Sequence, residues 1–187
     1  MELINQAAPG VQVHRIGVTR SYAVRHGAGP LPTETESLAP HVSEHNQHNQ
    51  WQGAVRYGWF DGVLTRYALS VTGEVDSLAV THMDILPRLE RWKYCPGYQG
   101  LHRHDNTGLI TTISEGLLTG FRLPPDLSLT KRAGFTRALS NVVPVFNHCS
   151  ADEESVIGEI ERLSGQKIGM LSYGPRAENV RIVNPLP

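Results

Sequence analysis

The sequence predicts an α/β fold: one domain over residues 1–187, with a mixed sheet flanked by helices. Two observations predict it. A helical apolar stripe over residues 61–73 is followed by a short β-branched run from Ser77 to Met83. A second amphipathic helix, starting near Ser150 and stopping at Gly165, is followed by another such run, Lys167 to Leu171. Helices that alternate with strands cover the faces of a sheet, and ligands of such sheets collect beyond the carboxyl ends of the strands.

A length of 187 residues suffices for one domain with a real core and falls short of two independent ones. With 40% hydrophobic and 19% charged residues and a formal net charge of -1, neither disorder nor a polyanion-seeking surface is indicated, so nucleic acid is not expected as a partner. Cys95 and Cys149 are far apart and lack Cys-x-x-Cys spacing, which fits reduced cytoplasmic thiols better than a disulfide or zinc site. The opening MELINQAAPGVQVHR has no basic segment followed by an apolar run. No stretch reaches the roughly 18 apolar residues of a membrane span, so a soluble, cytoplasmic protein with no membrane partner is expected.

Taken in order, VQVHRIGVTRSYAVR from Val11 to Arg25 alternates and is rich in β-branched and aromatic residues, predicting one or two strands. HGAGPLPTE then crowds two glycines and two prolines into a tight path on which a backbone can approach a ligand closely. Residues 35–53 are polar, lack either periodicity, and read as a flexible surface loop of the kind that often carries function. Asp61 is placed to cap a helix with an apolar face of Val63, Leu64, Tyr67, Ala68 and Val71, ended by Gly73. SLAVTHM reads as a buried strand with Asp84 just past its end. Residues 93–149 contain strand-like pieces, GLITTI and VVPVF, between Pro and Gly breaks, without a readable order. Ser150 and Glu153 form a capping-box pattern ahead of Val156, Ile157, Ile160 and Leu163. After the strand at 167–171, Ser172-Tyr173-Gly174-Pro175 turns the chain into a last strand, NVRIV.

Two turns thus follow apolar strands directly, one holding Asp84 and one holding Ser172 to Pro175, and they are candidates for a shared pocket. A carboxylate can accept from the N1–H and exocyclic amino group of guanine, a donor pair adenine does not present. The plainer alternative is that Asp84 caps the short segment after it. His41, His45 and His48 have a spacing that could serve a metal on a helix, but their polar neighbours favour a solvated loop; His102, His104 and Asp105 read the same way, and no metal site is expected. Trp51 and Trp59 could stack on a base, although burial is the ordinary fate of such rings. Cys149 has no local support as a nucleophile.

Four segments, in the same order along the chain, resemble the adenylosuccinate synthetase family. GVTRSYAVRHGAGPLPTE is similar to the family's Arg-Val-Gly-Ala-Gly-Pro-Phe-Pro-Thr-Glu loop, GWFD at 58–61 matches a family tetrapeptide, THMDIL resembles Thr-Lys-Leu-Asp-Val-Leu, and IERLSGQKIGMLSYGPR resembles the closing helix, strand and Ser-x-Gly-Pro turn. The resemblance spans residues 16–176, is poor in the middle third, and implies the fold of the carboxyl-terminal part of the enzyme. It implies that Asp84 reads the base of the donor nucleotide, GTP or ATP, with His82, Ser172, Gly174 and Pro175 around the same base. It implies that Arg25, Gly27, Ala28 and Gly29 lie against the acceptor nucleotide, and that Arg56 binds the carboxylate of L-aspartate, a task suited to the guanidinium fork.

The departures matter equally. His82 replaces the lysine of Thr-Lys-Leu-Asp, which leaves GTP against ATP open. NQWQGAVRYG replaces the Thr-Thr-Gly-Arg-Pro-Arg-Arg loop and keeps only Arg56 of its arginines, which leaves the amino acid open and brings in the family's variant branch, found in some phages and bacteria, that acts on guanine nucleotides to make 2-aminoadenine precursors. The glycine-rich phosphate loop of the family's amino-terminal half, with its general base and magnesium ligand, is absent from this sequence. The resemblance therefore implies a recognition module with no catalytic residue of its own, completed by a separate or excised amino-terminal half that brings the magnesium. The competing readings are a non-catalytic purine-nucleotide-binding or interaction protein, a degenerate paralogue that forms a homodimer or pairs with a complete synthetase, and a truncated product without function.

Overall fold

The computed structural model describes residue 6 and residues 8–42, 48–100, 110–122 and 128–184. The alternating opening segment divides into β1 (Ile16–Arg20) and β2 (Ala23–His26). Beyond the glycine-proline turn, Thr35 caps a 3-10 helix (Glu36–His41) by accepting from the Ser37 amide, and β3 (His48–Asn49), β4 (Gly53–Gly58) and β5 (Phe60–Asp61) follow. Next is α1 (Gly62–Thr72): the Asp61 carboxylate accepts from the amides of Val63 and Leu64, and Gly73, at φ 86°, ends the helix where a side chain would be strained. β6 (Ser77–Thr81) leads into a second 3-10 helix (Met83–Arg88), then β7 (Arg91–Gln99), β8 (Ile110–Ser114) and β9 (Leu117–Arg122). The chain continues through α2 (Leu129–Ser140), β10 (Val143–Ser150), α3 (Glu153–Ser164), β11 (Ile168–Ser172), a 3-10 turn at Ala177–Asn179 and β12 (Val180–Ile182).

The expected mixed sheet is present, in the order β1-β6-β11-β12, with the first three strands parallel and β12 antiparallel. Two further sheets accompany it. One is β10-β7-β9-β8, antiparallel, with β5 added in parallel to β7; the other is the small antiparallel β2-β4-β3. The fold is α/β, as the sequence predicts. α3 turns Val156, Ile160 and Leu163, none more than 3% exposed, onto Leu78, Ile168 and Leu171 of the first sheet. Each such burial is worth about 1.5–3 kcal/mol. Trp92, wholly buried in the same core, donates its indole N–H to the Ser21 carbonyl at 2.7 Å, so its one polar atom is satisfied. A second core, including Val63, Tyr98, Leu118, Phe121 and Phe135, lies between α1, α2 and the antiparallel sheet.

Several local expectations are corrected. Residues 36–41 of the expected loop form a 3-10 helix because Leu38, fully buried, anchors them in the core; residues 43–47 lie outside the described residues. Val71 does not belong to the buried face of α1, being 60% exposed, while Leu69 packs inward. The cap of α3 is Asp152, accepting from the Ser155 amide at 2.8 Å, and Ser150 ends β10. Trp59 is buried and carries the Lys93 ammonium 5.7 Å from its ring centre, but Trp51, at 86% exposed, escapes the expected burial on the connection between β3 and β4. His45, His102, His104 and Asp105 lie outside the described residues. Among the described residues no helix is long and apolar enough to cross a membrane.

Candidate functional site

β6 lies between β1 and β11, and all three run parallel, so their carboxyl ends emerge along one rim. Arg20 stands opposite Thr81, and Leu171 opposite Val80, which puts the turns after these strands side by side. The turn after β6 begins at His82, held left-handed at φ 59°, an uncommon conformation for a residue with a side chain. Among its contacts, the Ser21 hydroxyl donates to the His82 carbonyl at 2.7 Å, the imidazole Nδ1 and the Thr81 hydroxyl share a hydrogen bond at 3.1 Å, and the ring meets Tyr22 edge-on at 5.4 Å. Asp84 follows within the first turn of the 3-10 helix, half-buried, with the cap position already taken by His82.

The turn after β11 is organised by Asn179. The Asn179 side chain accepts from the Arg176 amide at 3.2 Å, and its carbonyl accepts from the Tyr173 amide at 3.0 Å. The Ser172 hydroxyl donates to the Gly174 carbonyl at 3.0 Å, so this hydroxyl shapes the turn itself. A Cβ at Gly174 would stand 2.7 Å from Asn179 Oδ1, which explains the glycine. Pro175 is exposed. The Tyr173 hydroxyl donates to Glu153, at the start of α3, and Arg181 pairs with the same carboxylate. Burial, reinforced by Glu153, pushes the Tyr173 phenol up to about 12, so it stays a donor.

The glycine loop forms a second group of residues. Gly27 (φ 82°) and Gly29 (φ 114°) take conformations that disfavour side chains, and Arg25 closes the loop by donating from Nε to the Ala28 carbonyl at 3.0 Å. Arg25 and Arg56 are direct partners in the β2–β4 pairing, so both guanidinium groups reach the same loop. Arg56 donates to the Gly29 carbonyl at 2.5 Å and pairs with Glu34 at 3.0 Å. It is thus partly engaged within the loop, although among the described residues its buried Nε has no partner.

A groove of about 930 Å³ joins the two groups at Arg25, Thr81 and His82 and runs down between β1 and α1. Of the residues expected at the site, Arg25 and His82 line this groove, whereas Asp84, Ser172, Gly174, Pro175, Gly27, Ala28, Gly29 and Arg56 do not. Arg20 and Tyr22 line it, with the Arg20 guanidinium donating to the Tyr22 hydroxyl at 3.2 Å. Neither was singled out in the sequence, where both fall inside the strand-like stretch from Val11 to Arg25. Asp61, at the floor, is pushed up to about 6 by burial, against the opposing hydrogen bonds from Tyr98 and the Leu64 and Val63 amides. Cys149 is held at about 11 by burial, an inert thiol.

A family model for adenylosuccinate synthetase matches residues 5–181. The chain belongs to the adenylosuccinate synthetase family. The adenylosuccinate synthetase of Desulforudis audaxviator is 33% identical over 171 residues, covering 87% of this chain and 36% of that enzyme. The organellar chromatophore adenylosuccinate synthetase of Paulinella chromatophora is 46% identical over 87 residues, 45% of this chain and 20% of that protein. The structure of fully ligated adenylosuccinate synthetase from Plasmodium falciparum superposes with a TM-score of 0.63 at 19% identity, covering 95% of this chain and 42% of that one, a likeness of fold. The chain therefore spans about two fifths or less of the length of these synthetases.

Proposed function

We propose that this chain is the nucleotide- and amino-acid-recognition part of an adenylosuccinate synthetase-like ligase of purine nucleotide biosynthesis. The full reaction would join L-aspartate to a purine nucleotide through a 6-phosphoryl intermediate, with GTP or ATP as donor. The remaining length of the enzyme would supply the phosphate loop and magnesium; phosphoryl transfer depends on those parts for positioning and charge stabilisation. One observation carries the reading: parallel β6 and β11 are neighbours, so Asp84 and the Ser172–Pro175 turn share one rim of one sheet. In this reading Asp84 accepts from the donor base, the turn walls it, and the Arg25–Gly29 loop approaches the acceptor nucleotide. Arg56 meets the amino-acid carboxylate.

Calorimetric titration of the chain with GTP, ATP, IMP and GMP tests this reading. Losing hydrogen bonds to a charged carboxylate costs about 1.5–3 kcal/mol, so Asp84→Ala should weaken the donor nucleotide by roughly 10- to 100-fold. Absence of binding by all four nucleotides, or binding indifferent to Asp84, refutes it. A second reading, a non-catalytic purine-nucleotide binder, draws on the pairing of Arg56 with Glu34, which already occupies part of the guanidinium. Phosphate release on adding the remainder of a synthetase separates the two, since only the first reading yields it.

A further inference from the structure

Most of what holds the Ser172–Pro175 turn is internal to it. The Ser172 hydroxyl donates to the Gly174 carbonyl, the Arg176 amide to the Asn179 side chain, and the amides of Tyr173 and Asn179 to the carbonyls of Asn179 and Arg176. All of these bonds stay within residues 172–179, so they fix the shape of the turn and leave its orientation to other contacts. Tyr173 supplies them. Its ring packs against the main core, and its hydroxyl leaves the turn to donate to one oxygen of Glu153, the first residue of α3. Arg181, on β12, donates to the other oxygen of Glu153 and to the Tyr173 hydroxyl at 3.3 Å, with its guanidinium carbon 5.9 Å from the centre of the tyrosine ring. The three side chains thus close a circuit that joins the turn, α3 and β12. Capping does not explain Glu153, because Asp152 already caps α3 through the Ser155 amide. Global stability explains it little better: the side chains of Glu153 and Arg181 are 38% and 53% exposed, where an ion pair adds little.

We propose that Tyr173, Glu153 and Arg181 are positioning residues for the donor base, fixing the Ser172–Pro175 turn beside Asp84 so that the slot is formed before the nucleotide arrives. The inference rests on the ligase reading and adds the residues that prepare its donor site. They act through the turn, without touching the base themselves. A preformed slot binds more tightly because its ordering is completed on folding and is not subtracted from the binding energy.

Tyr173→Phe tests this, since it keeps the ring and its packing and removes only the hydroxyl. Hydrogen exchange should show the amides of Tyr173 and Arg176 opening at least about threefold faster, with those of Leu78 and Val80 in β6 unchanged. In calorimetry the variant should bind its donor, GTP or ATP, roughly three- to tenfold more weakly, a smaller loss than Asp84→Ala gives. Binding of IMP or GMP at the Arg25–Gly29 loop and the urea midpoint should stay as in wild type. Glu153→Ala should do the same, and the double variant should lose no more than the worse single one, because residues that act as one unit are not additive. Unchanged exchange, donor affinity indifferent to Tyr173→Phe, equal weakening of donor and acceptor nucleotides with a lower urea midpoint, or single losses that multiply in the double variant overturns the proposal. Failure of the ligase reading looks different: the wild-type chain then binds none of the four nucleotides, and the positioning role falls with the site it serves.

Discussion

Replacing Asp61 with asparagine isolates a single buried titration. One carboxylate oxygen of Asp61 accepts from the Val63 and Leu64 amides at 3.0 Å each, and the other accepts from the Tyr98 hydroxyl at 2.5 Å. The side chain is 4% exposed, and burial lifts its pKa from 3.8 to about 6 despite those bonds and the nearby Arg66 guanidinium. Because the folded value is raised, the folded chain holds the proton more tightly than the unfolded chain. The stabilisation is complete below pH 3.8 and disappears as pH rises through about 6. A shift of this size is worth roughly 3 kcal/mol across that window. Asparagine keeps the capping oxygen and faces the tyrosine hydroxyl with an amide in place of the carboxylate, so it removes the titration with little change of shape. Urea unfolding followed through the buried Trp59 and Trp92 at a series of pH values should therefore show the wild-type advantage over Asp61→Asn falling by about 3 kcal/mol between pH 3 and 7. Parallel curves for the two proteins would show that Asp61 ionises in the folded chain as it does in water, and the argument from burial would be wrong.

Arg66 donates to the carbonyls of Thr119, Leu163 and Pro96 at 2.6–2.8 Å, joining β9, α3 and β7 from α1. Arg66→Met leaves those acceptors unpaired and should cost at least about 3 kcal/mol, read as a lower urea midpoint; a midpoint within error of wild type would remove the stapling role. Gly29→Ala places a Cβ 2.8 Å from Arg25 Cζ at φ 114°, so it should displace the Arg25 guanidinium and weaken the acceptor nucleotide by about tenfold or more in calorimetry. Donor binding at Asp84 should stay unchanged, and an equal loss at both nucleotides would instead indicate that the fold had shifted.

The helix at 61–73 and the end of the helix at Gly165 were legible because each carries its own boundary chemistry: Asp61 and Gly73 close one helix, and Gly165, left-handed at φ 71°, stops the other. α2 was missed because its buried residues, Phe135 and Leu139, span a single turn and leave no repeating stripe. The capping box at Ser150 was misplaced by two residues because Asp152 competes for the same task and the strand before it runs on to Ser150. Trp51 shows a similar limit, since aromatic character alone does not say which side of a hairpin meets the core.

Local pattern alone determined the α/β class, the helices after Asp61 and before Gly165, two buried strands, read at 77–83 and 167–171 and found at Ser77–Thr81 and Ile168–Ser172, and the motif order shared with the synthetase family, because periodicity and capping act over a few neighbouring residues. Tertiary structure decided that β6 and β11 are neighbours, that Arg25 stands opposite Arg56, and that Glu34 engages Arg56. Those contacts join residues far apart in the chain. Strand order and register depend on how whole faces bury one another, and no single segment carries that information.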